Sequence, residues 1–200
     1  MQAPVRSRKR DPRFEWTVKS DPQELDRMYI RLLGPGGDRM LTDEVKWLAV
    51  THKSFDHGRR GYNDRLAFLG RRIVTLQASL AMISAASQHQ SGVSSGGAEA
   101  SLSDSSFAHP ALEGVESLSH PALLDLLDKR RLAPLAMRCG LADVLRWLPK
   151  RPDNLLGSGE ESVLTEALFA IVGAIALQKG GNEAAQVARD KILAPLGVTS

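Results

Sequence analysis

The side chains that could do chemistry in this sequence form none of the common catalytic or metal-binding patterns. The glycine-rich turn at residues 34–37 is not followed by the Lys-Ser/Thr pair of a phosphate-binding loop. The single cysteine, Cys139, falls at the end of a helical segment, where a small buried residue is a simpler interpretation than a nucleophile. The histidines lack the spacing of metal ligands; they are His52, His57, His89, His109 and His120. We therefore predict neither a bound metal nor a cofactor.

The composition restricts the class of protein that carries these residues. A length of 200 residues indicates one domain with extensions. The longest uncharged apolar run, residues 167–177, is shorter than the roughly 20 residues that cross a bilayer, so we expect no membrane span. With one cysteine no intramolecular disulfide can form, which fits a reducing compartment. These features predict a soluble protein or a subunit of a soluble assembly.

Helical patterns run through most of the chain, and no strand-like alternation occurs, so the sequence predicts an all-α fold. Asp21-Pro22 should begin the first helix, Thr42 should cap a second one to about residue 52, and Asn63 should begin a long third helix. A stripe with helical spacing in that third helix predicts its buried face; its members are Leu66, Leu69, Ile73, Leu76, Leu80 and Ile83. Further helices are expected over residues 120–132, 134–138 and 142–148.

The last two helices carry their own start signals. Ser158 and Glu161 have the spacing of a capping box and should open a very apolar helix that ends at residues 179–181. Asn182 should cap a final helix to about residue 193.

Two segments lie outside this helical pattern. Residues 1–20 form a basic arm, in which residues 6–13 carry five cations and one opposing charge, Asp11; these cations are Arg6, Arg8, Lys9, Arg10 and Arg13. The arm could be a mitochondrial presequence, a solvated tail, or a retained arm that lies along phosphates, and we favour the last. Residues 84–118 are rich in Ser and Gly without periodicity, which indicates a flexible insertion. It interrupts a domain that we place at residues 21–196.

Four segments, in order, resemble motifs of the ribonuclease III family. Residues 63–70, Asn-Asp-Arg-Leu-Ala-Phe-Leu-Gly, are similar to the signature N-E-R-L-E-F-L-G-D, and Thr-His-Lys-Ser at 51–54 is similar to the T-H-[KR]-S upstream of it. Residues 132–145 and 169–181 resemble the L-A-x-x-A…G-L-G-x-x-L and E-A-L-I-G-A-I-Y-L-D-G-G segments. The resemblance covers about residues 40–182 and implies a ribonuclease III-like helical domain.

The same resemblance implies a degenerate active site. Family members hold paired magnesium ions with carboxylates spaced E-x-x-x-D on the signature helix and D-x-x-E on a late helix. The corresponding positions here are Ala67, Arg71, Glu166 and Phe169, so one of the four is acidic, with Asp64 nearby. We therefore predict that the chain is not an enzyme. We also expect Arg71 to form an ion pair with Glu166 or Asp64; the alternative is that it points to water.

A partner surface is implied by the residue that follows the first catalytic position. In the family this aromatic inserts into a neighbouring subunit, and Phe68 with Leu69 occupies that place here. We expect an asymmetric pairing with a second ribonuclease III-like protein; the alternative is that Phe68 packs inside its own domain. The basic arm should contact RNA. Weaker candidates for RNA contact are Arg59, Arg60, Lys129, Arg130, Arg131, Lys150 and Arg151.

These expectations together lead to a function. After residue 181 we expect only a short helix, which leaves no room for the double-stranded-RNA-binding domain of many family members. A single inactive domain with a basic arm resembles the ribonuclease III-fold proteins of the fungal mitochondrial large ribosomal subunit. This resemblance implies a structural protein of the mitochondrial matrix that contacts ribosomal RNA and other mitoribosomal proteins. An inactive accessory subunit of an RNA-processing complex is the alternative, and an active double-strand-specific endoribonuclease is less favoured.

Overall fold

The computed structural model describes residues 16–91, 115 and 118–198, so the five cations predicted for the arm lie outside the described residues. Within these ranges the chain forms helices, an isolated parallel bridge between Thr51 and Arg146, and no β-strand. The all-α prediction is therefore confirmed. The α-helices are α1 (Pro22–Leu33), α2 (Asp43–Ala49), α3 (Asp64–Ser91), α4 (His120–Leu126), α5 (Lys129–Arg138), α6 (Leu141–Val144), α7 (Glu160–Lys179) and α8 (Gly181–Val187).

The first helix begins where its sequence signals predict. The Asp21 carboxylate accepts a hydrogen bond of 2.9 Å from the backbone N–H of Gln23, and Pro22 occupies the first helical position. This arrangement satisfies a donor that the helix itself cannot pair. The buried side of α1 then presents Leu25, Met28, Tyr29 and Leu32 to the core.

The centre of the domain is the close antiparallel packing of α3 against α7. A Cβ added to Gly70 would lie 1.8 Å from the carbonyl oxygen of Phe169, and one added to Gly173 would lie 2.1 Å from the carbonyl oxygen of Leu66. From Leu66 to Gly70 the residue numbers in α3 rise, while their neighbours in α7 fall from Gly173 to Phe169, so the two helices run in opposite directions. Backbones can approach this closely only where neither helix carries a side chain, which fixes glycine at both positions.

The buried face of α3 differs from the predicted stripe. Its members are mostly small residues, namely Leu66, Ala67, Gly70, Val74, Gln77, Ala78 and Ala81. The larger apolar side chains lie on the opposite side, where Phe68, Leu76 and Leu80 are 64%, 56% and 49% exposed. The prediction was right for Leu66, which is buried, and wrong for Leu76 and Leu80. It assigned the larger residues to the core, whereas close packing on α7 requires small ones. We call the surface of Phe68, Leu69, Leu76 and Leu80 the outer face of α3.

The apolar outer face also explains a second property of α3. Residues Asp64–Ala86 have the length and composition of a membrane span, and no other described helix does. The inner side of the same segment packs against α7 in the middle of the domain, as the core helix of a helical protein does. Length and composition therefore do not by themselves assign this helix to a membrane.

Several helix boundaries differ from the sequence predictions: α2 ends at Ala49 and not near residue 52, and the helix predicted over residues 142–148 is α6, Leu141–Val144. The predicted helix over residues 120–132 is two helices, because the Asp128 carboxylate accepts a bond of 2.7 Å from Arg130 N–H and starts α5 anew. The capping box does not form: the Ser158 hydroxyl bonds the backbone of Arg151 at 2.9 and 3.0 Å, and Gly159 precedes α7. The final helix begins at Gly181 and continues as a π turn, Ala188–Leu193.

The insertion predicted at residues 84–118 does not begin where the apolar pattern stops. α3 continues to Ser91, because adding residues to an existing helix avoids the cost of nucleation, and Ala and Gln favour helices. Residues 92–114 and 116–117 of that segment lie outside the described residues.

Polar contacts connect the shorter helices to this centre. The Gln178 side chain accepts a bond of 3.0 Å from Thr42 N–H and donates one of 3.1 Å to the Thr42 hydroxyl, so α7 holds the residue that precedes α2. The Thr42 side chain itself makes no capping bond to α2. The buried Lys46 ammonium lies 2.6 Å from Asp26 and 2.7 Å from Asp43. Burial disfavours its charge, but the two carboxylates outweigh that effect and raise the pKa of Lys46. This ion pair fixes α2 on α1.

Candidate functional site

Three of the four positions that correspond to the family's carboxylates line one cleft, and the fourth, Phe169, lines a neighbouring cleft. α3 and α7 bring Ala67, Arg71 and Glu166 to the wall of the first cleft, which has a volume of about 300 Å³. Its remaining lining residues are Lys53, Asp64 and Phe68. The Asp64 carboxylate lies 3.4 Å from the Lys53 ammonium. The wall therefore carries two carboxylates opposed by two cations.

Arg71 does not form the predicted ion pair. Within the described part of the chain no carboxylate oxygen lies within 4.0 Å of its guanidinium. The guanidinium instead lies over the Phe169 ring, 5.2 Å from the centroid, in a cation–π arrangement. The prediction was wrong because it treated the two altered positions separately, whereas the aromatic at 169 provides a surface on which the arginine stacks. Arg71 also lines a neighbouring cleft of about 440 Å³, together with Leu124 and Lys129.

Glu166, the retained acid, faces a histidine that sequence reasoning had not connected to it. His52 Nε2 lies 3.6 Å from Glu166 Oε2, and His52 Nδ1 is 2.9 Å from the Ser54 hydroxyl. That hydroxyl accepts a bond of 2.9 Å from Leu148 N–H, which fixes the loop. Burial lowers the pKa of His52, and the charge of Glu166 opposes this effect only in part. Near neutral pH the His52 imidazole is therefore mainly neutral.

The asparagine that opens the signature segment is a structural residue. Asn63 is buried, its backbone N–H donates to the Thr51 carbonyl at 2.9 Å, and its amide donates to the Ala49 carbonyl at 3.0 Å. Both bonds hold the beginning of α3 against the end of α2. The match of Asn63 to the first residue of the family signature is therefore explained by its role in placing α3.

The described residues contain no group of three or more His, Cys, Asp or Glu side chains that could hold a metal ion. Cys139 is buried, and burial raises the pKa of its thiol, which disfavours the reactive thiolate. In the described part of the chain, the arrangement around Glu166 therefore provides ion pairing and stacking, and it lacks the carboxylate set that hard cations need.

The predicted interface residues lie at the surface. Phe68 is on the outer face of α3 and not inside its own core, and the Arg72 guanidinium lies 5.2 Å from its ring centroid. Leu69 is half-buried beside it. The seven weaker RNA candidates are all exposed, although Arg60 and Arg131 have carboxylates within 3.3 Å, those of Asp56 and Asp125.

Comparison with known proteins agrees with this geometry. The sequence profile described as ribonuclease-III-like matches residues 42–196. The chain belongs to the ribonuclease-III-like family. Large ribosomal subunit protein mL57 of Neurospora crassa is 45% identical over 189 residues, which are 94% of this chain and 68% of that protein. Large ribosomal subunit protein mL57 of Schizosaccharomyces pombe is 22% identical, over 92% of this chain and 76% of that protein.

Solved structures of ribonuclease-III-like proteins share the fold. Two structures of the nuclease domain of ribonuclease III from Campylobacter jejuni superpose with a TM-score of 0.56 each. Their identities are 22% and 23%, and they cover 85% and 84% of this chain and 94% and 95% of their own. The second of these structures is described as showing structural flexibility in a region of that protein involved in dimer formation. At this identity the likeness establishes the ribonuclease-III-like fold alone.

Proposed function

We propose that the chain is a structural component of the mitochondrial large ribosomal subunit. The observation that carries this proposal is the 45% identity to a large ribosomal subunit protein over nearly the whole chain. Both ribosomal relatives bear the mL designation of mitochondrial large-subunit proteins, which supports a mitochondrial location. In this role the chain contacts ribosomal RNA and neighbouring ribosomal proteins, with residues 1–20 as a basic arm attached to the domain at 21–196.

The proposal assigns no catalysis to the chain. Two-metal hydrolysis needs several carboxylates around one pair of ions, and three of the four corresponding positions are Ala67, Arg71 and Phe169. The stacked Arg71 guanidinium adds a fixed positive charge at the cleft and thereby opposes a dication there. The purified chain should not cleave double-stranded RNA with magnesium or manganese. Metal-dependent cleavage that Glu166→Ala abolishes would show that it is an endoribonuclease.

We further propose that the outer face of α3 binds a second ribonuclease III-like protein. Exposed large apolar side chains on the central helix of a domain are typical of an interaction surface. The neighbouring Arg65 and Arg72 are exposed and have no carboxylate within 4.0 Å among the described residues. Pairing with a second copy through this face would bring like charges together. This favours a different partner that carries carboxylates opposite the two arginines.

A substitution on the outer face tests this pairing. Phe68→Asp should abolish co-purification with the partner, because a carboxylate cannot be buried unpaired in an apolar interface. Leu177→Asp is the matched control, since Leu177 is 69% exposed on α7 and does not belong to the outer face. Both variants should keep a helical circular dichroism spectrum. Retained pairing in Phe68→Asp, or equal loss in both variants, would contradict the assignment of this face.

Sedimentation separates the ribosomal role from the alternative of an accessory subunit in an RNA-processing complex. A ribosomal protein should sediment with large subunits at high salt, whereas an accessory subunit should remain with soluble factors. Deleting residues 1–13 should lower the salt concentration at which the chain is released, because the deletion removes the arm's phosphate contacts. Unchanged release by salt would mean that the arm is not an anchor.

A further inference from the structure

The segment before α1 is held on the domain by an aromatic contact. The Trp16 indole meets the buried Trp147 indole edge to face, with 5.9 Å between the ring centroids and 77° between the ring planes. Trp16 also packs against the apolar core of the domain. Aromatic pairs in this geometry are favourable beyond the area that they bury. The contact therefore attaches the chain to the domain five residues before Asp21, the cap of α1.

Little else holds the segment between Trp16 and Asp21. Three of the four residues between them are exposed, and the backbone of residues 16–20 makes no hydrogen bond to another described residue. The Lys19 ammonium lies 3.5 Å from the Asp143 carboxylate, but both side chains are more than half exposed, and such surface pairs contribute little. Without the Trp16 contact the chain would leave the domain at Asp21.

The same contact lies where two predicted RNA-binding segments join the domain. Arg13, the last cation of the basic arm, precedes Trp16 by three residues, and Lys150 and Arg151 follow Trp147 by three and four residues. Lys150 and Arg151 are exposed and have no carboxylate within 4.0 Å among the described residues. Cations that start from one place on the domain can neutralise neighbouring phosphates of the same RNA.

We infer that Trp16 is a positioning residue that holds the cations of the basic arm next to the loop at residues 150–151, so that arm and loop bind one stretch of RNA. The inference rests on the proposed function, in which the arm contacts RNA, and it adds the residue that places the arm. A tethered binding group is more effective when its linker is short, because the linker sets its effective concentration. Loss of the Trp16 contact would lengthen the linker behind Arg13 from three residues to eight, which lowers this concentration about fourfold.

RNA binding by the full chain tests this placement. The probe is a labelled 20-base-pair RNA duplex, titrated at salt concentrations from 50 to 200 mM. Trp16→Ala should weaken binding about fourfold with an unchanged log–log salt slope, because it removes the attachment but no charge. Trp16→Phe should bind like the unchanged chain, since it keeps an aromatic ring and the buried Trp16 Nε1 has no hydrogen-bond partner among the described residues.

An insertion separates linker length from any effect of Trp16 on folding. Five Gly/Ser residues placed between Arg13 and Phe14 lengthen the same linker from three residues to eight and leave Trp16 unchanged. This variant should also weaken binding about fourfold, whatever the stability of Trp16→Ala. Circular dichroism and the urea midpoint report whether each variant is folded.

Two altered backgrounds test what Trp16 positions. In the neutral-arm chain the five arm cations are replaced by Gln, and Trp16→Ala should no longer change the affinity because no charge is left to place; these cations are Arg6, Arg8, Lys9, Arg10 and Arg13. In Lys150→Gln/Arg151→Gln its effect should fall below about twofold, because the arm has lost the contact that it acts with. Arg27→Gln/Arg39→Gln is the matched control, since it removes two arginines that have carboxylates within 4.0 Å, and the fourfold effect should remain.

The outcomes distinguish this inference from the function on which it rests. If the neutral-arm chain keeps the salt slope of the unchanged chain, the arm does not contact RNA, and the proposed arm contact fails together with the inference. If the neutral arm lowers the slope but Trp16→Ala and the insertion leave the affinity unchanged, or if Trp16→Ala weakens binding equally in the neutral-arm chain, Trp16 does not position the arm. A full fourfold effect in Lys150→Gln/Arg151→Gln would mean that the arm acts with another surface, and the pairing with the loop would be wrong.

Discussion

A methyl group at Gly70 would test how closely α3 and α7 must pack. Its Cβ would lie 1.8 Å from the carbonyl oxygen of Phe169 and 2.8 Å from the backbone nitrogen of Gly173. Favourable contacts between non-bonded atoms lie at about 3.5–4.0 Å, so the helices would have to separate locally by more than 1.5 Å or so. Both opposing atoms belong to the backbone, and no rotation of a side chain can relieve the overlap.

Two effects of opposite sign determine the free energy of unfolding of Gly70→Ala. Replacing Gly by Ala within a helix stabilises it by about 0.5–1 kcal/mol. Overpacking a tight core costs about 1–3 kcal/mol, and separating the two central helices also opens voids along the rest of their contact. We expect a net destabilisation of about 3 kcal/mol. For a chain of this length that corresponds to a decrease in thermal midpoint of about 6–12 °C.

Thermal and urea unfolding, followed by circular dichroism, measure this effect. Gly181→Ala is the control, because Gly181 begins α8 without a positive φ and a Cβ there meets no atom within 4 Å. The double variant Gly70→Ala/Gly173→Ala should lose less than the sum of the single losses, since the first methyl group already separates the helices. A midpoint for Gly70→Ala within roughly 2 °C of the unchanged chain would refute the packing argument, because it falls outside the expected decrease.

Two further predictions concern charged groups inside the domain. Asp26→Asn should lower the free energy of unfolding by about 1–2 kcal/mol in urea titrations, because the buried Lys46 loses one of its two partners. Asp43→Asn should lower it less, since Asp43 is the more exposed of the two carboxylates. Equal losses in the two variants would contradict this ranking. Because burial lowers the pKa of His52 below about 6.5, the unfolded chain binds more protons, so stability is retained above that pH and falls as the pH decreases below it. His52→Asn should flatten the change in urea midpoint between pH 7.5 and 5.5, and an unaltered pH dependence would show that His52 does not cause it.

The sequence was sufficient for the fold class and for the family, because both depend on patterns that many residues share. Four ordered motifs predicted the ribonuclease-III-like domain, and the local signals of Asp21 and Pro22 predicted the start of α1 correctly. These signals act within one turn of helix, so tertiary packing does not override them.

The sequence predictions failed where packing between helices determines which residues are buried or in contact. In α3 the spacing of apolar residues identified two sides of the helix but did not show which side is buried. That choice depends on Gly173 in α7, whose lack of a side chain permits the close approach at Gly70. The stacking of Arg71 on Phe169 and the contact of His52 with Glu166 likewise join residues about 100 positions apart in sequence, a separation that local periodicity does not register.

α3 has two sides with separate tasks, and this arrangement has a genetic consequence. The inner side, at Gly70, determines whether the domain folds, whereas the outer face, at Phe68, remains available after folding is complete. Substitutions two residues apart should therefore produce alleles of two kinds. An inner-side allele should lower the amount of folded protein and should be recessive. If the proposed function holds, an outer-face allele should leave a folded chain that binds RNA without its partner and so interferes with the normal copy. The steady-state level of the protein distinguishes the two kinds.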